Sequence, residues 1–227
     1  MTAPQGQRIA VLRERALGET RVSVTPETVK KLVALGARVA VESGAGAAAS
    51  ISDEDYRSVG AEVGAAEAVL AGADMVFAVQ GPDPASLAGV NPGAWVVAIL
   101  DPFGQRARVE GYASAGLEAL AMEFMPRITR AQSMDVLSSQ SNLAGYKAVI
   151  TAADVYGRAF PMMMTAAGTI SAAKCFVMGV GVAGLQAIAT ARRLGAQVSA
   201  TDVRSATKEQ IQSLGAKPIF VENVAGI

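Results

Sequence analysis

The stretch VMGVGVAGLQAIATARRLGAQVSATD, residues 177–202, decides how the fold is interpreted. Gly179, Gly181 and Gly184 form a G-x-G-x-x-G pattern directly after an apolar strand and directly before a helix. In such a βαβ unit the first glycine permits a tight turn, the second lets the backbone approach a pyrophosphate, and the third lets the helix pack on the strand. The pattern predicts a dinucleotide-binding Rossmann unit. A glycine turn that binds nothing is the alternative.

An acidic residue, Asp202, ends the next predicted strand. A carboxylate at this position can accept hydrogen bonds from an adenosine ribose, and it would repel the 2′-phosphate of NADP(H). The sequence therefore favours NAD(H) as the cofactor. The nearby basic residues Arg204 and Lys208 keep NADP(H) open as an alternative.

Composition excludes several classes of function. The 227 residues contain 20 lysines plus arginines and 20 aspartates plus glutamates, and this balance argues against nucleic acid as a partner. The single cysteine, Cys175, cannot form an internal disulfide and is typical of a reducing compartment. The chain contains no histidine, which excludes Ser-His-Asp and Cys-His catalysis, and we expect no metal site.

The sequence predicts no direct insertion into a membrane. Two uncharged runs, 84–100 and 175–191, are interrupted by glycine, proline or polar residues. Both are shorter than the roughly 20 apolar residues that a membrane-spanning helix needs. The opening residues lack the apolar core of a signal peptide, so we expect a cytoplasmic location.

The first half of the chain alternates short apolar runs with helical stretches, which is typical of a doubly wound parallel sheet. One helix is predicted to begin after an N-cap at Thr25 and to stop at Gly36, and another to begin with Ser52 and Asp55 as a capping box. We assign residues 1–137 to this first domain. Its strands are predicted at 8–12, 38–42, 75–80, 94–100 and 117–122.

Residues 138–227 are predicted to form a second domain, opened by a long helix over 135–158. The run FPMMMTAAGTISA, residues 160–172, is predicted to be a loop. Three strands follow, at 174–178, 197–202 and 217–221, where a dinucleotide-binding sheet normally has six. The predicted fold class is therefore α/β, with two Rossmann-like domains built on parallel sheets and the second incomplete. Either the chain is a fragment or another polypeptide completes the sheet.

A second informative stretch, PRITRAQSMDVLSSQSN at 126–142, follows a predicted strand and opens the long helix. Arg127, Gln132, Asp135 and Ser138 supply a guanidinium, an amide, a carboxylate and a hydroxyl. A nicotinamide carboxamide has donor and acceptor faces that such a set could orient. From spacing alone, a solvated loop between domains is the favoured interpretation.

These stretches resemble a known family. The segments 127–150 and 159–169, together with the glycine loop through 204, are similar to the NAD(H)-binding domain of proton-translocating nicotinamide nucleotide transhydrogenase, at the N-terminal end of its alpha subunit. The opening RVSVTPETVKKLVALGARVAVESGAG, 21–46, resembles the start that this family shares with alanine dehydrogenase. The resemblance covers nearly the whole chain and is most specific over 127–142. The family domain continues beyond the residues present here.

The resemblance implies that Arg127, Asp135 and Ser138 anchor the nicotinamide carboxamide and that Gln132 points toward a partner nucleotide. It implies hydride transfer between NAD(H) on this chain and NADP(H) on a partner domain, with membrane-spanning subunits carrying protons. A homodimer attached peripherally to the inner membrane is also implied. The residues expected to hold the pyrophosphate and ribose are Gly179, Gly181, Val182, Ala183, Gly184, Asp202, Val203 and Arg204.

Alanine dehydrogenase is the nearest alternative function, and its chemistry needs an acid or base because it moves protons as well as hydride. In that family a lysine and a histidine follow the strands that resemble MVFAVQ and VVAIL. Here the corresponding positions, 79–81 and 100–102, contain neither residue. Direct transfer of hydride between two nicotinamide rings needs only positioning and exclusion of water. A non-catalytic binding module and an NADP-specific reductase are the remaining alternatives.

Overall fold

The computed structural model describes residues 6–126 and 128–220. The chain divides into two compact units, Met1–Met134 and Asp135–Ile227, called here the N-terminal and the C-terminal unit. Each contains a parallel β-sheet and helices, so the predicted α/β class with two parallel sheets is confirmed.

The N-terminal unit contains six strands, each separated from the next by a helix or a 3-10 turn. They are β1 Arg8–Val11, β2 Arg38–Glu42, β3 Glu62–Gly64, β4 Met75–Gln80, β5 Trp95–Ile99 and β6 Glu118–Ala121. They form one sheet in the order β3-β2-β1-β4-β5-β6, and all neighbouring strands are parallel. This is the strand order of a complete doubly wound fold, whose topological switch point lies between β1 and β4. Five of the six strands were predicted, and only the edge strand β3 was missed.

Helix starts in this unit follow the predicted capping signals. The Thr25 hydroxyl accepts the Thr28 N–H at 3.4 Å, and Gly36 follows the helix with a φ of +92°. Ser52 and Asp55 form the predicted reciprocal capping box, with N···O distances of 3.2 and 2.8 Å. The helices are α1 Pro26–Ala34, α2 Asp53–Ser58, α3 Ala66–Leu70 and α4 Arg106–Ser114, with 3-10 turns at Ala47–Ala49, Pro84–Leu87, Met122–Phe124 and Thr129–Met134.

The C-terminal unit contains a small hairpin and a parallel sheet flanked by helices. Its elements are α5 Val136–Val155, β7 Met163–Thr165, β8 Gly168–Ile170, β9 Lys174–Met178, α6 Val182–Arg193, β10 Gln197–Thr201, a 3-10 turn Ser205–Thr207, α7 Lys208–Ser213 and β11 Lys217–Pro218. The parallel sheet has three described strands in the order β11-β10-β9. The prediction of a loop over 160–172 was wrong, because β7 and β8 pair as an antiparallel hairpin. Val221, the last residue of the predicted third strand, lies outside the described residues.

Both units bury apolar side chains against their sheets. In the N-terminal unit, Ala10 and Val11 of β1 are fully buried in clusters on opposite faces of the sheet, as parallel strands covered on both faces require. In the C-terminal unit, Ile188 of α6 and Ile211 of α7 are fully buried with Val149 of α5 against β10. Within 6–126 and 128–220, no helix is both long and apolar enough to cross a membrane.

Candidate nucleotide-binding site

The predicted glycine loop joins β9 to α6 in three residues, 179–181. Gly179 has a φ of +90°, a conformation that other L-residues rarely adopt. A Cβ on Gly184 would lie 1.9 Å from the Gly179 carbonyl oxygen, so the first turn of α6 lies directly against the loop backbone. A Cβ on Gly181 would meet nothing within 4 Å. Packing within the chain therefore requires two of the three glycines but not Gly181.

The start of α6 presents backbone N–H groups. Its N-cap is Gly181, which has no side chain to cap the helix. The N–H groups in the first turn of a helix have no intrahelical acceptor, here those of Val182, Ala183 and Gly184. Together with the helix dipole they favour an anion such as a phosphate. This portion of the predicted site is formed by backbone amides alone.

Asp202 follows β10 and lies directly beside the glycine loop. Its Oδ2 accepts the Val180 N–H at 2.7 Å, and its Oδ1 accepts the Arg204 N–H at 2.8 Å. The Arg204 guanidinium adds bonds of 2.9 Å from Nε to Oδ1 and 3.1 Å from Nη2 to Oδ2. These bonds, that of the guanidinium first, hold the pKa of Asp202 well below its usual range. The carboxylate is therefore ionised and only 6% exposed.

The two neighbours of this carboxylate differ in exposure and contacts. Val203 is fully exposed. The Arg204 side chain is 61% exposed, and its Nη2 also donates to the Val180 carbonyl at 3.3 Å. The guanidinium therefore connects the Asp202 carboxylate to the glycine loop.

The second predicted group, around the start of α5, is only partly brought together. Asp135 is the N-cap of α5, and its carboxylate accepts the Ser138 N–H at 2.9 Å and the Ser138 hydroxyl at 2.6 Å. Gln132 is exposed in a 3-10 turn of the N-terminal unit. Arg127 lies outside the described residues. Asp135 and Ser138 thus form one capping pair that fixes the beginning of α5.

Helix α5 crosses the start of α6 at a contact that the sequence-based reasoning missed. A Cβ on Gly145 would lie 2.1 Å from the Ala183 carbonyl oxygen, so the two backbones touch there. Nearby, the Asn142 amide donates to Gln186 Oε1 at 3.3 Å. An isolated glycine within a long helical pattern is the sequence signal that could have revealed this packing. The contact fixes the helix that begins with Asp135 against the first turn of α6.

A separate cavity of about 380 Å³ lies in the N-terminal unit at the carboxyl ends of β1, β2 and β4. This is the switch point of the sheet, where ligands bind in doubly wound folds. Its lining includes Arg13, Glu14, Arg15 and Glu42. Glu42 accepts the Arg13 N–H at 2.9 Å and also the Arg15 guanidinium. The sequence-based reasoning missed this cluster, although three of its four charged residues directly follow the predicted first strand.

Glu14 and Glu19 in this region have shifted pKa values of opposite sign. Burial raises the pKa of Glu14, although its carboxylate accepts the Val79 and Gln80 N–H groups at 2.6 and 3.1 Å. Hydrogen bonds from the Arg21 side chain lower the pKa of Glu19 to about 2. The Gln80 amide donates to Glu19 at 3.1 Å and is thereby held in place.

The strand ends that would carry an amino-acid dehydrogenase's lysine and histidine hold other groups. Gln80 ends β4, and Asp101 follows β5 with a φ of +47°. The Asp101 N–H donates to Glu123 Oε1 at 2.5 Å. Among the described residues no group of three or more acidic, cysteine or histidine side chains could hold a metal ion.

Comparison with known proteins identifies the same family over both units. Residues 10–144 match the family model described as "Alanine dehydrogenase/PNT, N-terminal domain", and residues 148–225 match "Alanine dehydrogenase/PNT, C-terminal domain". The chain is 54% identical over 224 residues to a protein of Rhodospirillum rubrum that is named as the first of the parts of an NAD(P) transhydrogenase alpha subunit. That alignment covers 96% of this chain but 58% of the relative, so the chain spans little more than half of that protein.

Two solved structures are also similar. The transhydrogenase of Sinorhizobium meliloti superposes with a TM-score of 0.89 at 58% identity, covering 93% of this chain and 64% of the other. An L-alanine dehydrogenase superposes with a TM-score of 0.81 at 26% identity, covering 94% of this chain and 60% of the other. Both relatives share the fold described above.

Proposed function

Because this chain belongs to the alanine dehydrogenase/PNT family, we propose that it is the NAD(H)-binding component of a transhydrogenase. In this role it passes hydride between NAD(H) and NADP(H) that is bound on a partner domain. Its similarity to a transhydrogenase subunit at 54% identity, against 26% for an L-alanine dehydrogenase structure, favours transhydrogenation within the family.

The observation that carries the proposal is the open space at Gly181. Gly179 is required by its positive φ, and Gly184 is required by its contact with the Gly179 carbonyl. Gly181 has neither reason, since its φ is −84° and a Cβ there would meet nothing. A glycine without a packing role, placed at an uncapped helix start, is what close approach of a pyrophosphate to the backbone demands. The loop therefore fits a dinucleotide better than it fits a purely structural turn.

In the proposed site each portion of the cofactor has its own group of residues. The amides of Val182, Ala183 and Gly184 hold the pyrophosphate, and Asp202 accepts hydrogen bonds from the adenosine ribose. Val203 and Arg204 border the ribose. When bound, the nicotinamide supplies or accepts hydride at its ring. The residues proposed to orient its carboxamide are Arg127, Gln132, Asp135 and Ser138.

Transhydrogenation is also the reaction that this set of side chains can support. Hydride transfer between two nicotinamide rings exchanges no proton at the reacting carbons, so the protein has to align the rings and exclude water. The chain has no histidine, and β4 ends in Gln80 rather than a lysine. Gln80 is neutral and donates to Glu19, which makes it unsuited to the acid–base work of amino-acid oxidation.

The proposal extends to partners and location. The similar protein of Rhodospirillum rubrum is named as only a portion of an alpha subunit, and this chain spans 58% of it. We place the NADP(H) site and the proton path on partner domains that include membrane-spanning ones. In this arrangement the chain is a homodimer on the cytoplasmic side, attached peripherally to the inner membrane through those partners.

Calorimetric titration of the 227-residue chain with NADH and NADPH tests the proposal. We expect NADH to bind more tightly than NADPH. Replacement of Asp202 by alanine removes a charged acceptor of the ribose hydroxyls and is expected to weaken NADH binding by about 10- to 100-fold. Asp154→Ala, at an exposed position on α5, is the matched control for loss of one negative charge and is expected to bind NADH as the wild type does.

Two results would contradict the proposal. One is failure of the wild-type chain to bind NADH when circular dichroism shows that it is folded. The other is reduction of NAD⁺ dependent on L-alanine, which would identify an amino-acid dehydrogenase. Circular dichroism of Asp202→Ala and of the milder Asp202→Asn separates loss of binding from loss of folding, because Asp202 also accepts the Val180 N–H.

A further inference from the structure

The Asp202 carboxylate is fully engaged by the chain itself. A carboxylate offers about four acceptor positions. Four N–H groups occupy them, two from the backbone of Val180 and Arg204 and two from the Arg204 guanidinium, at distances of 2.7 to 3.1 Å. Ribose hydroxyls would have to donate to these same oxygens. One pair of donors must therefore leave before a ribose can bind.

Only the guanidinium can leave without unfolding the loop. The Val180 and Arg204 amides are part of the backbone that connects β9 to α6 and follows β10. The Arg204 side chain is 61% exposed, while the Asp202 side chain is 6% exposed. An exposed partner loses little by returning to solvent, because ion pairs at the surface contribute little.

We propose that Arg204 competes with the adenosine ribose for Asp202, so that this pair, rather than Asp202 alone, sets the choice between NADH and NADPH. The inference rests on the proposed function, since it requires a dinucleotide at the glycine loop. While Arg204 is paired, it masks the acceptor that NADH needs. It is also held away from a 2′-phosphate, which otherwise could form a fork-like pair with it.

The test compares NADH and NADPH affinities of the wild-type chain with those of Arg204→Met, which keeps the apolar stem and removes every donor. Arg193→Met, at an exposed position in the last turn of α6, is the control for loss of one positive charge. Relative to that control, we expect Arg204→Met to bind NADH about two- to fivefold more tightly and NADPH more weakly. Equal or weaker NADH binding would overturn the inference, because Arg204 would then be neutral or a direct contact.

A second variant tests the other half of the pair. Asp202→Asn removes the charge that holds the guanidinium, and the ratio of NADPH to NADH affinity is expected to rise by about tenfold. An unchanged ratio would overturn the inference. The wild-type titration distinguishes the two proposals. If neither the wild type nor Arg204→Met binds NADH, the nucleotide site itself is wrong, whereas NADH binding by Arg204→Met alone would support the competition directly.

Discussion

The two units of this chain contain the same βαβ arrangement with different connections after the first strand. In the N-terminal unit, residues 12–25 separate β1 from α1, and they bring Arg13, Glu14 and Arg15 to a cavity. In the C-terminal unit, only residues 179–181 separate β9 from α6, and they present backbone amides. The strands are parallel in both. The sheet therefore fixes where a ligand site lies, and the length and composition of one connection fix its chemistry.

The largest expected effect concerns Gly184, where the short connection allows no side chain. Gly184→Ala places a Cβ 1.9 Å from the Gly179 carbonyl oxygen, so the helix or the loop has to move. We expect a loss of about 3 kcal/mol in the free energy of unfolding of the C-terminal unit. Urea unfolding followed by far-ultraviolet circular dichroism measures this loss.

Gly64→Ala in the N-terminal unit is the matched control, since its Cβ would meet only the Ala68 Cβ at 3.8 Å. It is expected to change stability by less than about 1 kcal/mol. The only tryptophan, Trp95, lies in the N-terminal unit, so its fluorescence follows that unit separately. If Gly184→Ala were as mild as Gly64→Ala, the close contact would not be what distinguishes the short connection.

Gly181 provides a smaller and more specific effect. Gly181→Ala should leave stability unchanged or slightly raised, because a φ of −84° suits alanine and the space around the added methyl group is open. NADH affinity is expected to fall by at least about tenfold, or 1.4 kcal/mol, because the methyl group would stand where a pyrophosphate approaches the backbone. Titration calorimetry with NADH measures the change. Unaltered affinity would mean that the short connection does not contact the phosphates.

The smallest effect tests whether charges on the long connection stabilise the fold. Glu19 accepts bonds from Arg21 and Gln80, and its pKa is lowered to about 2. A lowered pKa means that the ionised form stabilises the folded state above the ordinary value of 4.5, and that this contribution is lost as the pH falls toward 2. Glu19→Gln is therefore expected to cost about 1 kcal/mol at pH 7 and to differ little from the wild type near pH 2.

Urea unfolding followed by Trp95 fluorescence at several pH values measures this difference. Glu54→Gln is the control, because the Glu54 side chain is 79% exposed. A cost that stays constant from pH 7 to 2 would show that Glu19 acts through packing rather than through its charge.

Much of the fold was predictable because its signals are local. Strands at 38–42 and 75–80 have the predicted bounds, and the Ser52 capping box depends on residues only three apart. The glycine loop and Asp202 were likewise predictable, since strand, turn and acid follow one another in a fixed order. These signals required no knowledge of distant contacts.

Features that depend on distant partners were not predictable in this way. Strand β3 has three residues and exists because it pairs with the neighbouring strand β2. The hairpin over 163–170 similarly pairs two segments too short to show a period. The charged cavity brings Arg15 to Glu42, 27 residues apart, and this follows from the strand order rather than from either segment.

The crossing of α5 and α6 at Gly145 gives the C-terminal unit a one-sided tolerance. The α5 backbone already lies against the Ala183 carbonyl, with no side chain between them that could be shortened. Every substitution at this position can therefore only push the helices apart. Since α5 begins at Asp135 and α6 begins at the glycine loop, sequence changes here can widen the distance between the two candidate binding regions but cannot narrow it. The crossing is thus a lower limit on that distance, which any shorter dinucleotide would have to meet by other means.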